Sequence, residues 1–227
     1  VDNTSAHYGG GAYFELSAID ITQSLFAGNF VADVHGGAIY TYGADLNVSN
    51  TIFADNDGVQ GGALLLTGST SDNDSDGRPD KTYANLDFIT AIHNYTSSQG
   101  AFLLAIHAEV LLTNSLIAHN HAGYAIALNG VLPTYAQETT FTEDNEDGDF
   151  KSFATNGAPE PYTGDAFGNI VGGISAFVAR SDDGDWSNDD LHLDPTSAAV
   201  DTADALLMDF DSSPADMGAY GGPNGLW

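Results

Sequence analysis

Apolar residues alternate with polar ones in three separated stretches: Ile19, Ile21 and Leu25; Leu46, Val48 and Ile52; Val110, Leu112 and Leu116. An even spacing marks a strand with one buried face and does not fit an amphipathic helix. These stretches sit inside a longer repeat. Small residues followed by apolar ones occur as Gly10-Gly11-Ala12-Tyr13-Phe14, Gly36-Gly37-Ala38-Ile39-Tyr40, Gly61-Gly62-Ala63-Leu64-Leu65 and Gln99-Gly100-Ala101-Phe102-Leu103, with a weaker copy at Gly123-Tyr124-Ala125-Ile126. A second landmark, an apolar run ending in asparagine, runs in phase with the first and places Asn29, Asn56, Asn94, Asn120 and Asn145 at equivalent positions.

Both landmarks return every ~25 residues except across one interval, where the polar stretch 68–82 reads as a loop inserted into one coil. Three short strands per repeat, with Gly and Asn at the corners, predict an all-β chain folded as a right-handed parallel β-helix, its strands pairing with those of the coils above and below. Asparagine tolerates tight-turn backbone, and stacked amides hydrogen-bond from coil to coil, so the series predicts an interior Asn ladder. The expected organisation is a single domain, 1–227. Regular coils, about five of them, occupy 1–146, an irregular loop-rich region 147–190, and a C-terminal coil and cap 191–227.

With Ala12, Ala38, Ala63, Ala101 and Ala125 as anchors, alternation turns Tyr13, Ile39, Leu64, Phe102 and Ile126 inward and leaves Phe14, Tyr40, Leu65 and Leu103 on the opposite face. Such a stripe suits sugar stacking or a protein partner, or lies under the protein's own chain.

Composition changes the picture mainly through charge. At 42% hydrophobic the chain can bury a core, but 32 acidic residues, 26 of them Asp, face only 4 basic ones, for a net charge of -28. A surface of that sign repels nucleic acid and anionic lipid. Calcium ligation, adaptation to salt and plain solvation each account for it. The absence of cysteine excludes disulfides and Cys-based metal sites. No apolar run is long enough for a membrane helix, so no membrane insertion by this chain is expected. The first repeat begins within a few residues of Val1, which suggests a piece of a longer exported polypeptide.

At these motifs the chain resembles the pectate-lyase-like β-helix superfamily, and its repeated N-x-x-x-x-x-G-G-A pattern is similar to bacterial surface β-helices of the polymorphic outer-membrane and autotransporter-passenger type. The resemblance spans roughly residues 9–146. A tail with Ser197-Ala198-Ala199-Val200-Asp201 and Asp216-Met217-Gly218-Ala219-Tyr220 is similar to the closing segment of secreted bacterial β-helix proteins, which implies a cap over the last coil. Ala198 and Ala203 stand where that segment has proline and glycine.

The superfamily hosts lyases, hydrolases, adhesins and inert stalks alike. A polyuronate lyase requires cationic groups and a proton acceptor, and only Arg78, Lys81, Lys151 and Arg180 are available. No Asn-Thr-Asp or Gly-His-Gly motif of the polygalacturonase kind occurs. The loop Asp72-Asn73-Asp74-Ser75-Asp76-Gly77-Arg78-Pro79-Asp80 carries carboxylates in the order of a calcium loop, with Gly77 at its turn, so Asp72, Asp74, Asp76 and Asp80 are candidate Ca²⁺ ligands. Tyr83 stands where an EF-hand has its last acidic ligand. Weaker acidic loops contain Glu143, Asn145, Asp147 and Asp149, and Asp182, Asp183 and Asp185; a polar turn explains either equally.

Stacking about the ladder sets Gly28, Asp55, His93, His119 and Asp144 in one column and Phe30, Asp57, Tyr95, His121 and Glu146 in another. His93, His119 and His121 are thus the candidate catalytic or metal-binding groups, and Phe14, Tyr40, Asp55 and Tyr95 the candidate ligand contacts, against a reading as polar corner residues. The expected function is a non-catalytic extracellular or bacterial cell-surface module, structural or adhesive and Ca²⁺-stabilised, with a polysaccharide or cell-surface protein as partner and no nucleic acid. A carbohydrate-active enzyme, a polysaccharide lyase or glycoside hydrolase, is the alternative.

Overall fold

A computed structural model describes residues 1–33, 35–72, 80–130, 134–153, 168–172, 177–181, 183 and 185–225. The chain winds as a parallel β-solenoid, an all-β stack whose three sheets each take one strand per coil. Sheet A contains Thr4–Ser5, Phe30–Val31, Asp57–Gln60 and Tyr95–Gln99. Sheet B contains Ala12–Glu15, Ile39–Tyr42, Leu64–Thr67, Leu103–Ile106, Ile126–Asn129 and Phe150–Ser152. Sheet C is longer and bent in the middle, with Ala18–Ala27, Asp45–Ala54 and Thr82–Ile92 continuous through the bend. The next coils split it into Ala108–Thr113 with Leu116–Ala118 and Thr134–Glu138 with Phe141–Glu143, and Ile170–Val171 follows. The coils therefore continue beyond the expected limit at residue 146, into 150–152 and 168–172.

Four corners per coil explain this shape, because each corner column holds backbone in the left-handed region. After sheet B come Leu16, Gly43, His107 and Gly130; at the bend in sheet C, Gln23, Asn50, Phe88, Asn114, Thr139 and Gly168. Before the ladder come Gly28, Asp55, His93, His119 and Asp144; before sheet B, Gly9, Gly36, Gly61 and Gly100. Side chains resist this conformation, at a cost of roughly 1–2 kcal/mol per residue. Only the last column is uniformly glycine. There an added Cβ would strike backbone of the same coil: at Gly36 it would lie 2.5 Å from the Ile39 carbonyl oxygen.

The Asn ladder forms as the sequence predicts and is longer. Side-chain amides donate in one direction from Asn3 to Asn29 (2.9 Å), Asn29 to Asn56 (2.8 Å), Asn56 to Asn94 (2.9 Å), Asn94 to Asn120 (3.0 Å) and Asn120 to Asn145 (2.9 Å). Each acceptor oxygen also receives the backbone N–H of the preceding rung, as in Asn56 N–H to Asn94 (3.2 Å). The second amide hydrogen reaches back to a carbonyl, from Asn94 to Phe53 and from Asn145 to Ile117. Asp149 closes the series, accepting from Asn145 at 2.8 Å.

The interior is filled from three sides by Ile39, Leu64, Leu103 and Ile126 of sheet B, Leu46, Val48, Leu86 and Leu112 of sheet C, and Phe53 and Phe102. Here the expected facing is corrected at two coils. The register pairs Ala12 with Ile39 and Tyr13 with Tyr40, and pairs Leu64 with Leu103. Leu103 and Phe14 thus face the core, while Tyr13 and Leu104 stand on the outer column with Tyr40 and Leu65. The anchor slips in the fourth coil because sheet A carries an extra residue between Thr96 and Gln99, which Gly-Gly-Ala matching cannot detect.

The insertion leaves and returns at the corner between sheets B and C. Thr82 donates to the Thr67 carbonyl, and Asp80 and Ser69 close its base through Ser69 N–H to Asp80 O (2.8 Å).

The tail is the second correction. Its described residues do not cap the last coil. Phe177–Ala179 and Asp190–Leu193 pair antiparallel, and residues 197–221 then run along the outer side of sheet C, C-terminal to its bend. Ala199, Ala203, Ala215 and Met217 pack on Phe88, Leu116, Ala118 and Phe141, and Leu191 and Ala219 on Ile52, Ala54 and Ile92. Asn50 donates to the carbonyls of Ala219 (3.1 Å) and Gly221 (2.8 Å), and Ala219 N–H donates to Thr90. The glycines of the Gly218-Ala219-Tyr220-Gly221-Gly222 run permit this approach, since a Cβ at Gly222 would sit 2.5 Å from the Phe88 ring. The segment is a lateral strap. The covered half of sheet C is apolar on both faces, which is why strict alternation fails there.

Replacing Asn94 by Ala leaves the Asn56 N–H and amide without their shared acceptor, and removes the amide donor to the Phe53 carbonyl and one of the two donors to the Asn120 oxygen. The expected loss is about 3 kcal/mol or more of unfolding free energy in urea titration. A loss within the range of an exposed substitution would show that the ladder is incidental.

Candidate functional site

Three groups of residues singled out from sequence can now be placed. The Asp and His column is in register, with Ala54 paired to Ile92 and Ile92 to Ala118, so that Asp55, His93 and His119 occupy successive corners. The His93 ring lies 6.2 Å from that of His119 and 5.6 Å from that of His121. The middle of the column is enclosed, while His119 is half-buried and Asp144 exposed. The His93 side chain is 4% exposed and Asp55 12%. Arg180 and Trp186 lie against these two: Arg180 Nη1 is 3.3 Å from His93 Nε2, and the backbone N–H of Trp186 reaches the Asp55 carboxylate.

Arginine only donates, so His93 Nε2 accepts and its proton sits on Nδ1, facing Asp55 Oδ1 at 3.8 Å. The other Asp55 oxygen is buried without a hydrogen-bond partner. Burial foremost, then the nearby charges of Asp189, Asp183 and Asp185, push the Asp55 carboxyl up to about 6. Why Asp and His occur here at all follows from the backbone: every member of the column has positive φ, and Asp, Asn and His are the non-glycine residues that tolerate it best. The corner selects them without help from catalysis. Tyr95 and His121 lie beside it on sheet A, joined by a bridge and partly exposed.

The second group is aromatic. Tyr40 is buried, but with Tyr8, Tyr13 and His35 it forms a stack with ring centroids 5.0 to 5.7 Å apart, and Tyr8 and Tyr13 are largely exposed. Tyr13 donates to Glu15 at 2.9 Å. Leu65 and Leu104, further along the same outer column, are completely buried, so none of the residues expected in the outward stripe is exposed and the column is open only at Tyr13. Phe14 packs against the core and is no ligand contact.

The third group is acidic. Asp74 and Asp76 lie outside the described residues; Asp72 is exposed and Asp80 buried at the loop base. In the 143–149 loop the Asn145 oxygen is committed to the ladder, and the two Asp149 oxygens accept from Asn145 and Thr142. Asp182 lies outside the described residues. Asp183 accepts from Asp185 N–H and Asn188, and Asp185 from Ser187. Among the described residues no three His, Asp or Glu side chains converge to hold a metal.

Sequence reasoning missed a fourth feature, an open groove of about 530 Å³ across the uncovered half of sheet C, lined by Asp45, Asn47, Tyr83, Asn85, Glu109 and Leu111 among others. The signal was present in the alternation, since these are the polar and aromatic positions between core residues Leu46, Ala84 and Val110.

Fold and corners together define a parallel β-solenoid stitched by buried amides, with no described helix long and apolar enough to cross a membrane. Over 170 residues, 70% of its length, the chain is 32% identical to the probable autotransporter YfaL of Escherichia coli (strain K12), and it spans 12% of that protein's length. No family model matches the chain, and no solved structure matches it.

Asp55 fixes a pH dependence. Its carboxyl titrates higher in the folded chain than the usual 3.8, so between about 3.8 and 6 the folded state holds more protons than the unfolded one. Its contribution to stability therefore grows as pH falls from 7 towards 4. Asp55→Asn is expected to raise the melting temperature at pH 7, by an amount corresponding to about 1–2 kcal/mol, and to flatten the rise between pH 7 and 5 seen in the parent. An unchanged slope in the variant would refute the assignment.

Proposed function

We propose that this chain is a surface-displayed segment of an autotransporter-type passenger, a non-catalytic β-helix module with a structural or adhesive role, stabilised by Ca²⁺ at the 72–80 loop. The observation that carries the reading is the unbroken stack itself, in a chain similar over most of its length to part of a probable autotransporter. A ladder of buried amides makes a rod whose coils support one another without disulfides. The lyase or hydrolase alternative draws no support from the His column, where His93 and Asp55 lie buried beside Arg180 and Trp186 and the corner backbone explains the residue types.

Display is tested on intact cells that make the protein. An antibody against this chain should label their surface, and added protease should remove the label while sparing a cytoplasmic marker. Label found only after lysis would overturn the reading.

Calcium binding rests on the D-x-D-x-D-G spacing and on Asp80, whose buried position at the loop base favours a counter-charge. Calorimetry should show Ca²⁺ binding, and a chelator should lower the melting temperature. Asp74→Asn combined with Asp76→Asn should abolish both effects. No heat and no shift with the parent chain would exclude this part.

A further inference from the structure

The strap divides sheet C into two halves with opposite surfaces. Beyond the bend, the outer positions Ile52, Ile92 and Ala118 are apolar and covered. Before it, the outer positions are mostly polar or aromatic, with Leu111 and Ala136 the exceptions, and they fall into rows by strand register. One row holds Asp45, Tyr83 and Glu109; the next holds Asp20, Asn47, Asn85 and Leu111. Successive members of a row are one strand spacing apart, about 4.8 Å, and the sugar rings of an extended glycan advance along their chain by a similar step.

The lining has the chemistry of a sugar site. Tyr83 is 46% exposed, offering an aromatic face for the C–H side of a ring. Asn47 donates to Asp20 at 2.9 Å, which leaves its amide oxygen to serve as an acceptor, and Asn85 stands exposed beside it in register. Carboxylates of Asp45 and Glu109 flank the aromatic ring. Lys81, the cation at this edge, is paired with Glu109 at 2.7 Å. An anionic chain would therefore meet Asp20, Asp45 and Glu109 with no unpaired cation among the described residues of the groove to offset them, and hydroxyl-rich uncharged ligands fit better.

We infer that the uncovered half of sheet C is a binding groove for a neutral, extended polysaccharide, with Tyr83 as its stacking platform and Asp45, Asn47, Asn85 and Glu109 as a rail of hydrogen-bonding groups along the solenoid axis. The chain runs parallel to that axis, one ring per coil. This site is separate from the His column, and its existence does not depend on where the protein is displayed.

The test titrates the folded chain with cellohexaose, xylohexaose, mannohexaose and maltohexaose while following the side-chain amide resonances of Asn47 and Asn85 by NMR. At least one hexasaccharide should shift both, with binding retained in about 0.5 M NaCl, where surface charge is screened. Tyr83→Ala should weaken binding tenfold or more, and Tyr83→Phe should keep most of it; the unchanged melting curve expected for an exposed position separates lost binding from lost fold. Spermine and a Lys-rich peptide serve as cationic probes. No response to any neutral hexasaccharide, binding indifferent to Tyr83→Ala, or a response to the cations alone that vanishes in salt would each overturn the proposal.

Discussion

A buried amide chain is the constraint on which the other features of this protein rest. Each ladder asparagine meets its full hydrogen-bonding capacity only if the coil below holds an asparagine at the same height and the coil above presents its N–H and amide. Buried polar groups are costly when unpaired, so register is fixed at one point in every coil to within a fraction of a strand spacing. Corner geometry follows from this. The residue before each ladder asparagine must turn the chain sharply, it does so in the left-handed region, and only glycine, aspartate or histidine occupies that column. Chemistry that looks like a site is thus, in this column, a consequence of backbone.

Asymmetry in sheet C follows from the second corner column. The bend at Asn50, Phe88 and Asn114 turns the second half of each strand to face the strap, and Asn50 and Asn114 bind strap backbone directly. With apolar side chains on both faces, that half would be an open hydrophobic surface without the tail. The tail's glycines and the bend's asparagines are two halves of one contact. Covering the sheet rather than the end leaves the groove before the bend as the free face.

Much of this was legible in the sequence. Asparagine spacing revealed the ladder because its two requirements, a corner conformation and a self-complementary amide, are both met by one residue type, so the series stays visible despite the inserted loop. Gly-Gly-Ala matching did worse: a small residue is needed wherever backbones approach, so Ala12 and Ala101 matched in composition while their true register partners lay one residue away. A single-residue bulge reverses facing without leaving a mark in composition. The strap was read as a cap because its closing motif resembles segments of other proteins, and nothing local in Gly218-Ala219-Tyr220 tells a side from an end. The groove was overlooked because attention went to residues beside the ladder, whereas its members are ordinary outward positions made into a site only by stacking.

Aspartate abundance has a structural source that charge counting hides. In the tail, Asp183, Asp185, Asp190, Asp194, Asp204 and Asp211 each accept the backbone N–H two residues on, the local bond that lets aspartate build a turn. Side-chain hydrogen bonds from Asn188, His192, Thr196 and Ser213 foremost, and then those backbone bonds, favour the ionised form and hold Asp183, Asp190, Asp194 and Asp211 below the usual carboxylate range. Burial does the opposite to Asp55, Asp57, Asp209 and Asp216. The raised group favours folding as pH falls towards 4, and the lowered group loses its stabilising bonds only below that point. Two populations of one residue type therefore act on the pH dependence in opposite senses, and Asp209 and Asp216 place part of the raised population in the strap. Asp209 accepts from the N–H groups of Asp216 and Gly222, and Asp216 from that of Asp201. The turns within the strap are accordingly coupled to the charge of its half-buried carboxylates.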